Sequence, residues 1–436
     1  MKHILNIILI GLISPFAGSS QSAMTLEDAI AIALKNNYDI QLAENSKRQA
    51  DNNQSIYNTG FLPTFNASGN ANYSNSNTSF TTQQGVDNTI NGAEIKSLGT
   101  SVGLNYVLFN GGARKFQFDR LKKQYLLASS QKKLQIENTL IEVYTLFLNI
   151  ARNQEQKKTL DTAFSISKSR LERTKIQQKY GQRTTLDVLN AKVDANNDSI
   201  NLINLQVQLD NNKRNLNFLL GRDISTMFLV NNQVVLDPNM SLDRLKTAMD
   251  SNNVQLKQIE LNKQISNHDL NINKAAWVPS LSASASYGLD YRDNGKVGFF
   301  QNQNSAGLNA GVNLSWDIFD GGANKVRVQN ARINLENQSL NEQKLKLSLE
   351  NQLAIFWAEY TTQMTLISNE TINVKVNEQN FLKSQEQFNL GQISSLDFRQ
   401  AQLNLIQTKL NLLNASYNAK LAEFQLKRFA GLLLEQ

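Results

Sequence analysis

The sequence predicts an α+β membrane protein made of two copies of one unit, each joining a pair of membrane-length strands to an unusually long helix. Three observations predict it. KYGQRTTLDVLNA at 179 to 191 returns as NLGQISSLDFRQA at 389 to 401, 210 positions later. The stretches 112–180 and 322–390 carry no Pro and almost no Gly, enough for helices of about 100 Å. Ahead of each, apolar and polar residues alternate with a period of two.

The chain of 436 residues holds 19% charged and 41% hydrophobic residues, the balance of a folded chain. It has no cysteine, which removes disulfides, thiolate metal sites and a cysteine nucleophile. Of two histidines, His3 falls in the N-terminal leader, and His268 alone cannot build a two-histidine metal site. No acid–base or nucleophile cluster stands out, so no enzyme, metal or cofactor is expected. The net charge of +7 is spread along the chain and does not suit nucleic-acid binding.

Residues 1–23 read as a secretory signal: Lys2, an apolar run from Ile4 to Ile13, then small residues to Ala23. No cysteine follows for a lipid anchor, and no other run reaches about 18 apolar residues. The first copy is then 24–236 and the second 237–436. Leu26 and Asn36-Asn37 answer to Leu242 and Asn252-Asn253, and Phe61-Leu-Pro63 to Trp277-Val-Pro279, at an offset of 216. LFNGGARK at 108–115 matches IFDGGANK at 318–325, and Gly221 matches Gly431, at 210. A loop between Pro63 and Gly111 must therefore be six residues shorter in the second copy.

Strands are expected at about 64–74 and 100–109, then 280–291 and 306–317. Phe65, Ala67, Gly69, Ala71 and Tyr73 alternate with Asn, Ser and Asn; Val102, Leu104 and Tyr106 do the same opposite them. Segments 74–97 and 292–305 are expected as long polar loops. A half-buried soluble sheet shows the same alternation. The leader, those loops, and aromatics gathered at strand ends (Phe61, Phe109, Trp277, Trp316, Phe319) favour a barrel wall. Four strands cannot close a barrel; two copies would supply eight and three copies twelve.

Helices are expected at about 38–61, 112–180 and 184–220, then 322–390 and 394–430. The first and third end to end nearly match the long one, which suggests a hollow cylinder with 25–36, 222–250 and the C-terminal tail around its waist. Leu396, Leu403, Ile406, Leu410, Leu413, Tyr417, Leu421 and Phe424 form a coiled-coil seam that only Arg399 interrupts. Pro63, Gly111, Gly112, Pro279, Gly321 and Gly322 mark strand–helix junctions; the Gly pairs lack the spacing of a phosphate loop.

In order and spacing these features resemble the TolC-type outer membrane efflux protein family, over essentially the whole chain after the leader. The resemblance implies a homotrimer in the outer membrane of a Gram-negative bacterium, with a 12-stranded β-barrel continued by a long periplasmic α-helical barrel. Partners would be a periplasmic adaptor, an inner-membrane pump and outer membrane lipid. The function would be passive conduction of substrates in tripartite efflux or type I secretion. The other class is a periplasmic or surface coiled-coil scaffold, and a passive porin is disfavoured because each chain supplies too few strands.

Gly181 and Gly391 would cap the long helices, and Thr184 or Ser394 would start the next with Asp187 or Asp397 as capping-box partner. By resemblance Gly181, Gln182, Thr184, Gly391, Gln392 and Ser394 lie at hairpin tips that dock the adaptor. Asp397, Gln400, Asp187 and Arg183 would form the periplasmic gate: Asp397 and Gln400 would face the pore, three Asp397 carboxylates repelling by about 1 to 4 kcal/mol per pair, and Arg183 would brace the closed tip. Asn190 and Gln400 stand where some members carry a second acid, so a double acidic ring is not expected.

Overall fold

The computed structural model describes residues 23–231, 233–295 and 300–434; the expected signal at 1–23 lies almost wholly outside them. The chain divides into two compact units, one of residues up to Tyr38 with Asn138–Ser241 and Ile355–Lys427, the other of Asp39–Glu137, Leu242–Ala354 and the residues from Arg428 on.

The second unit holds the sheet. β1 (Thr64–Thr81), β2 (Asp87–Asn110), β3 (Ser280–Asp293) and β4 (Asn302–Ser315) pair antiparallel in sequence order. Pro63 and Pro279 stand just before β1 and β3, where a missing N–H costs no ladder bond. Ala67 pairs with Val102, Val102 with Tyr287, and Tyr287 with Leu308, so one face carries the apolar residues. Among the described residues none covers that face: Phe65, Val102, Tyr287, Leu308, Val312 and Leu314 are all more than half exposed. A soluble half-buried sheet would pack it. The other face is Asn, Ser and Gly, with Asp290 and Arg292.

The first hairpin corrects an expectation. Segment 74–97 is mostly strand, since β1 and β2 stay paired from Ser74–Ile95 out to Thr81–Asp87 across a bulge at Ser76/Thr78. Only the turn at 82–86 remains, closed by Thr82 N–H on Val86 O at 2.9 Å. These residues are mostly Ser, Asn and Thr, the few apolar ones (Phe80, Ile90, Ala93 and Ile95) fall without regular spacing, and the period of two vanishes although the ladder does not. Hydroxyl pairs such as Ser79 with Thr89, 3.1 Å, replace it. β3 and β4 likewise run two and four residues into 292–305.

Each strand pair leads into a long helix, α3 (Ala113–Lys179) or α7 (Ala323–Asn389), both of 67 residues. Gly111 and Gly112, and Gly321 and Gly322, all have positive φ. At Gly111 a Cβ would lie 2.6 Å from Ala275 O and 2.9 Å from Val278 Cβ, so glycine is required for both dihedral and space. Asn110 Oδ1 accepts from Arg114 N–H, and Asp320 Oδ2 from Asn324 N–H at 2.7 Å, capping the helices.

Helix α2 (Tyr38–Asn53) is shorter than expected; a 3-10 turn at Ile56–Asn58 follows it. With α4 (Thr185–Leu219, 35 residues) its 16 residues fall short of α3, so the expected sum of lengths fails in the first copy. The remaining helices are α1 (Leu26–Asn36), α5 (Leu242–Asn252), α6 (Val254–Ala275) and α8 (Ser395–Phe429). One device ties helix ends in each unit. Asn37 Nδ2 donates to Leu219 O, with Gly221 close against Asn36 O; Asn253 Nδ2 donates to Phe429 O, with Gly431 against Asn252 O. Both bonds are 2.9 Å.

Candidate functional site: the two helix-hairpin tips

Both hairpin tips are made by local chemistry. Gly181 N–H bonds Gln178 O and Gln182 N–H bonds Gln177 O, both at 2.9 Å; Gly391 and Gln392 do the same on Phe388 and Gln387. This paired closure stops α3 and α7 and needs a left-handed residue, supplied by Gly181 at φ 73° and Gly391 at φ 75°. Thr184 then caps α4. Its N–H reaches Asp187 Oδ2 at 2.9 Å, and Asp187 N–H returns to Thr184 Oγ1 at 3.2 Å. Ser394 and Asp397 repeat this at α8, with Ser394 Oγ donating to Asp397 Oδ2 at 2.6 Å.

Those bonds hold both carboxyls below the usual carboxylate range. For Asp397 the Ser394 hydroxyl contributes most and its backbone N–H next; for Asp187 the order is reversed. An ionised Asp397 suits cation binding better than proton storage. Gln400 is exposed and donates to Asn404 Oδ1 on its own helix at 2.8 Å.

Arg183 reaches from the first tip to the second hairpin and lands on an aromatic ring, its guanidinium 5.7 Å from the centroid of Phe388. Arg173 lies 6.0 Å from the same ring and donates to Asn389 O at 3.1 Å. Phe388 is buried and stacks on Phe398 at 5.0 Å, and Phe398 on Phe381 at 5.6 Å. The tip residues of each hairpin are thus brought together locally, and Arg183 is the one among them that crosses between hairpins.

Sequence reasoning missed a buried polar cluster nearby. Arg399 of α8 clasps Asp198 of α4 with two bonds of 2.7 Å and also donates to Ser167 Oγ of α3 and Gln402 Oε1. Arg170 of α3 pairs with Asp194 of α4 and donates to Ser395 O of α8 at 3.1 Å. Arg170, Arg399, Asp198, Ser167 and Gln402 are all buried. The signal was the interruption itself: Arg399 stands beside an apolar seam, and Asp198 falls among the buried positions Ala191, Ala195, Leu205 and Leu209 of α4. The seam's tip end lies outside, with Leu396 and Leu403 exposed while Tyr417 and Phe424 are buried. Periodicity locates a stripe, but which neighbour covers it is a tertiary fact.

No helix among the described residues is long and apolar enough to cross a membrane. A strand sheet with one bare apolar face joined to long amphipathic helices defines the class: an outer membrane channel with a large periplasmic helical portion. The model of the outer membrane efflux protein family matches residues 29–222 and 248–432, and the chain belongs to that family. It is similar to the proteases secretion protein PrtF of Dickeya chrysanthemi, 21% identical over 98% of this chain and 93% of that one. Among solved structures it resembles the Campylobacter jejuni CmeC outer membrane channel, with a TM-score of 0.78 at 16% identity over 99% of this chain and 94% of that one. It also resembles VceC of Vibrio cholerae, with a TM-score of 0.75 at 15% identity over 93% and 96%. The protein is an efflux protein of the Gram-negative outer membrane.

Proposed function

We propose that three copies close a 12-stranded barrel and a helical tunnel, which passively conducts substrates handed over by a periplasmic adaptor and an inner-membrane pump, gated at the hairpin tips. One observation carries this: the chain ends in open, unlike edges. β1 and β4 each have one unpaired side in the sheet order, in a sheet whose apolar face is bare. In lipid those edge groups must find partners, and β1 of one chain can pair with β4 of the next. Unlike edges make a head-to-tail contact that closes a ring.

The helices repeat the argument. On α4, Leu186, Leu189, Val193, Ile200, Ile203 and Val207 keep alternating steps of three and four, with Asn196 in the gap, and each is more than half exposed. On α7, Val326, Ile333, Leu340 and Leu347 are equally exposed at steps of seven. These are coiled-coil stripes facing away from the chain's own core, as a neighbouring copy would require.

Two copies of one ancestral unit, 24–236 and 237–436, account for the twin tips and for the paired Asn37–Leu219 and Asn253–Phe429 ties. The adaptor would dock on the tips around Gly181, Gln182, Thr184, Gly391, Gln392 and Ser394. A scaffold without channel activity leaves the bare sheet face unexplained. Mass measurement of the detergent-solubilised protein, with single-channel recording of the same material, tests the proposal: three subunits and discrete conductance steps are expected. A stable single subunit, or a trimer that never conducts, would sink it.

A further inference from the structure

The strand ladder turns inside out where β1 and β2 run past β3. β2 leaves β3 at Lys96–Asp293, and from Ser74–Ile95 onward β1 and β2 continue as a two-stranded ribbon. Within the sheet one face is apolar and the other carries Asn, Ser and Gly. In the ribbon the second face, continuing from Ser68–Ser101 and Asn70–Gly99, takes the apolar residues: Ser74 pairs with Ile95, Ser76 with Ala93, Thr78 with Ile90 and Phe80 with Asn88. The first face receives Lys96, Glu94, the Ser79–Thr89 pair and the Thr81–Asp87 pair.

A bulge produces the exchange. Asn77 stands opposite both Asn91 and Gly92, and Gly92, at φ 67°, donates its N–H to Asn77 Oδ1 at 2.8 Å. The extra residue on β2 carries Ile90 round to the face of Ala93 and Ile95. β1 keeps its phase, with the Ser76 and Thr78 hydroxyls 3.5 Å apart on one side. Residues without a period in the sequence therefore share a face in space. Phe80 lies diagonally between Ile90 and Val86, which closes the turn with Thr82. Ala93 is buried, whereas Phe80 is 43% and Val86 54% exposed.

In the three-copy barrel proposed above, the face of Asn, Ser and Gly lines the lumen, so Phe80, Val86 and Ile90 stand on the inner side of the outer mouth, away from lipid. Twelve strands about 4.8 Å apart and tilted about 40° set the wall about 12 Å from the axis. From Ser74 to Thr81 the ribbon is about 25 Å long, and the bulge bends it. It is long enough to reach the axis, where the apolar surface awaiting it belongs to the other two copies. We propose that the inner faces of the three ribbons pack against one another over the outer mouth, Phe80, Val86 and Ile90 of each copy against those of its neighbours, as an apolar cap that passing substrate pushes apart. This rests on the three-copy channel.

The chain has no cysteine, so Phe80→Cys gives each copy one thiol, and a short bismaleimide can join only one copy to another. Linked dimers are expected on denaturing gels, together with a fall in single-channel conductance. Val86→Cys should link in the same way. Ser79→Cys, on the outer face, should leave single subunits on the gel and native conductance. Conducting trimers in which residue 80 links no more than residue 79, or links without lowering the conductance, overturn the cap and leave the channel intact. Single subunits in detergent before any reagent, or trimers that never conduct, overturn the channel proposal and the cap with it.

Discussion

Arg399 and Asp198 face each other as a two-pronged pair, both bonds 2.7 Å long, 201 residues apart in sequence and almost out of reach of water. A buried pair of this kind is judged by what its loss leaves behind. Asp198→Ala leaves the buried guanidinium with Asp194, 3.7 Å away, as its remaining carboxylate and should lower stability by about 3 kcal/mol, the low end for a broken buried pair. Replacing both residues by apolar ones of similar size, Asp198→Leu with Arg399→Met, should cost much less, because no charge is left alone. Thermal denaturation of the three proteins in detergent checks the order; a double variant as weak as the single one would contradict it.

Glu137 of α3 sets a pH dependence of the opposite kind to that of the tip carboxylates. Its side chain is buried, Oε1 has no hydrogen-bond partner, and burial pushes the carboxyl up to about 7 against the pull of Lys133 and Arg428. The folded protein therefore keeps a proton that the unfolded chain releases near its ordinary value of 4.5. Stability should fall as pH rises from 4.5 to about 7 and level off beyond, a loss on the order of 3 kcal/mol from this group. Melting temperatures across that window should slope downward in the native protein and flatten in Glu137→Gln. An unchanged slope in the variant would assign the effect elsewhere.

Asp397 is held ionised by Ser394, so three of them around a pore would bind divalent cations without first losing protons. Under the proposed assembly, Asp397→Asn should relieve divalent-cation block of the conductance. Ser394 holds each carboxyl below the usual range while its two counterparts would push it up, so block in the native channel should weaken on acidification as the ring takes up protons. Recording block as a function of pH in both proteins decides it. Equal block in the variant would take Asp397 out of the pore.

The parts legible in the sequence are those set by local backbone chemistry. Pro63 and Pro279 mark the strand starts to the residue, and Gly181 and Gly391 mark the ends of α3 and α7, since each residue restricts its own dihedrals whatever surrounds it. Thr184–Asp187 and Ser394–Asp397 were readable for the same reason. What escaped depends on neighbours far along the chain. The extension of β1 and β2 is mostly Asn, Ser and Thr, and its few apolar residues, Phe80, Ile90, Ala93 and Ile95, keep no period. Arg399 looked like a flaw in a seam because Asp198 and Ser167, which make it a core residue, lie more than 200 positions away. Leu396 and Leu403 keep the spacing of buried residues yet face outward.

Glycine at the strand–helix junction differs physically from glycine at the tip, although both have positive φ. At Gly181 (φ 73°) a Cβ meets nothing within 4 Å, so Gly181→Ala pays only the left-handed strain of about 1 to 2 kcal/mol. At Gly111 (φ 65°) the same atom would sit 2.6 Å from the Ala275 carbonyl, which is backbone and cannot rotate away. Gly111→Ala must therefore displace the end of α6 from the start of α3, at the level where the sheet begins. The expected result is a graded pair: Gly181→Ala reaches the outer membrane and keeps native heat resistance to within a few degrees, about what 1 to 2 kcal/mol removes. Gly111→Ala accumulates poorly or melts well below it. Equal melting of the two variants would show that the clash at Ala275 is relieved without cost and that the junction is looser than its geometry implies.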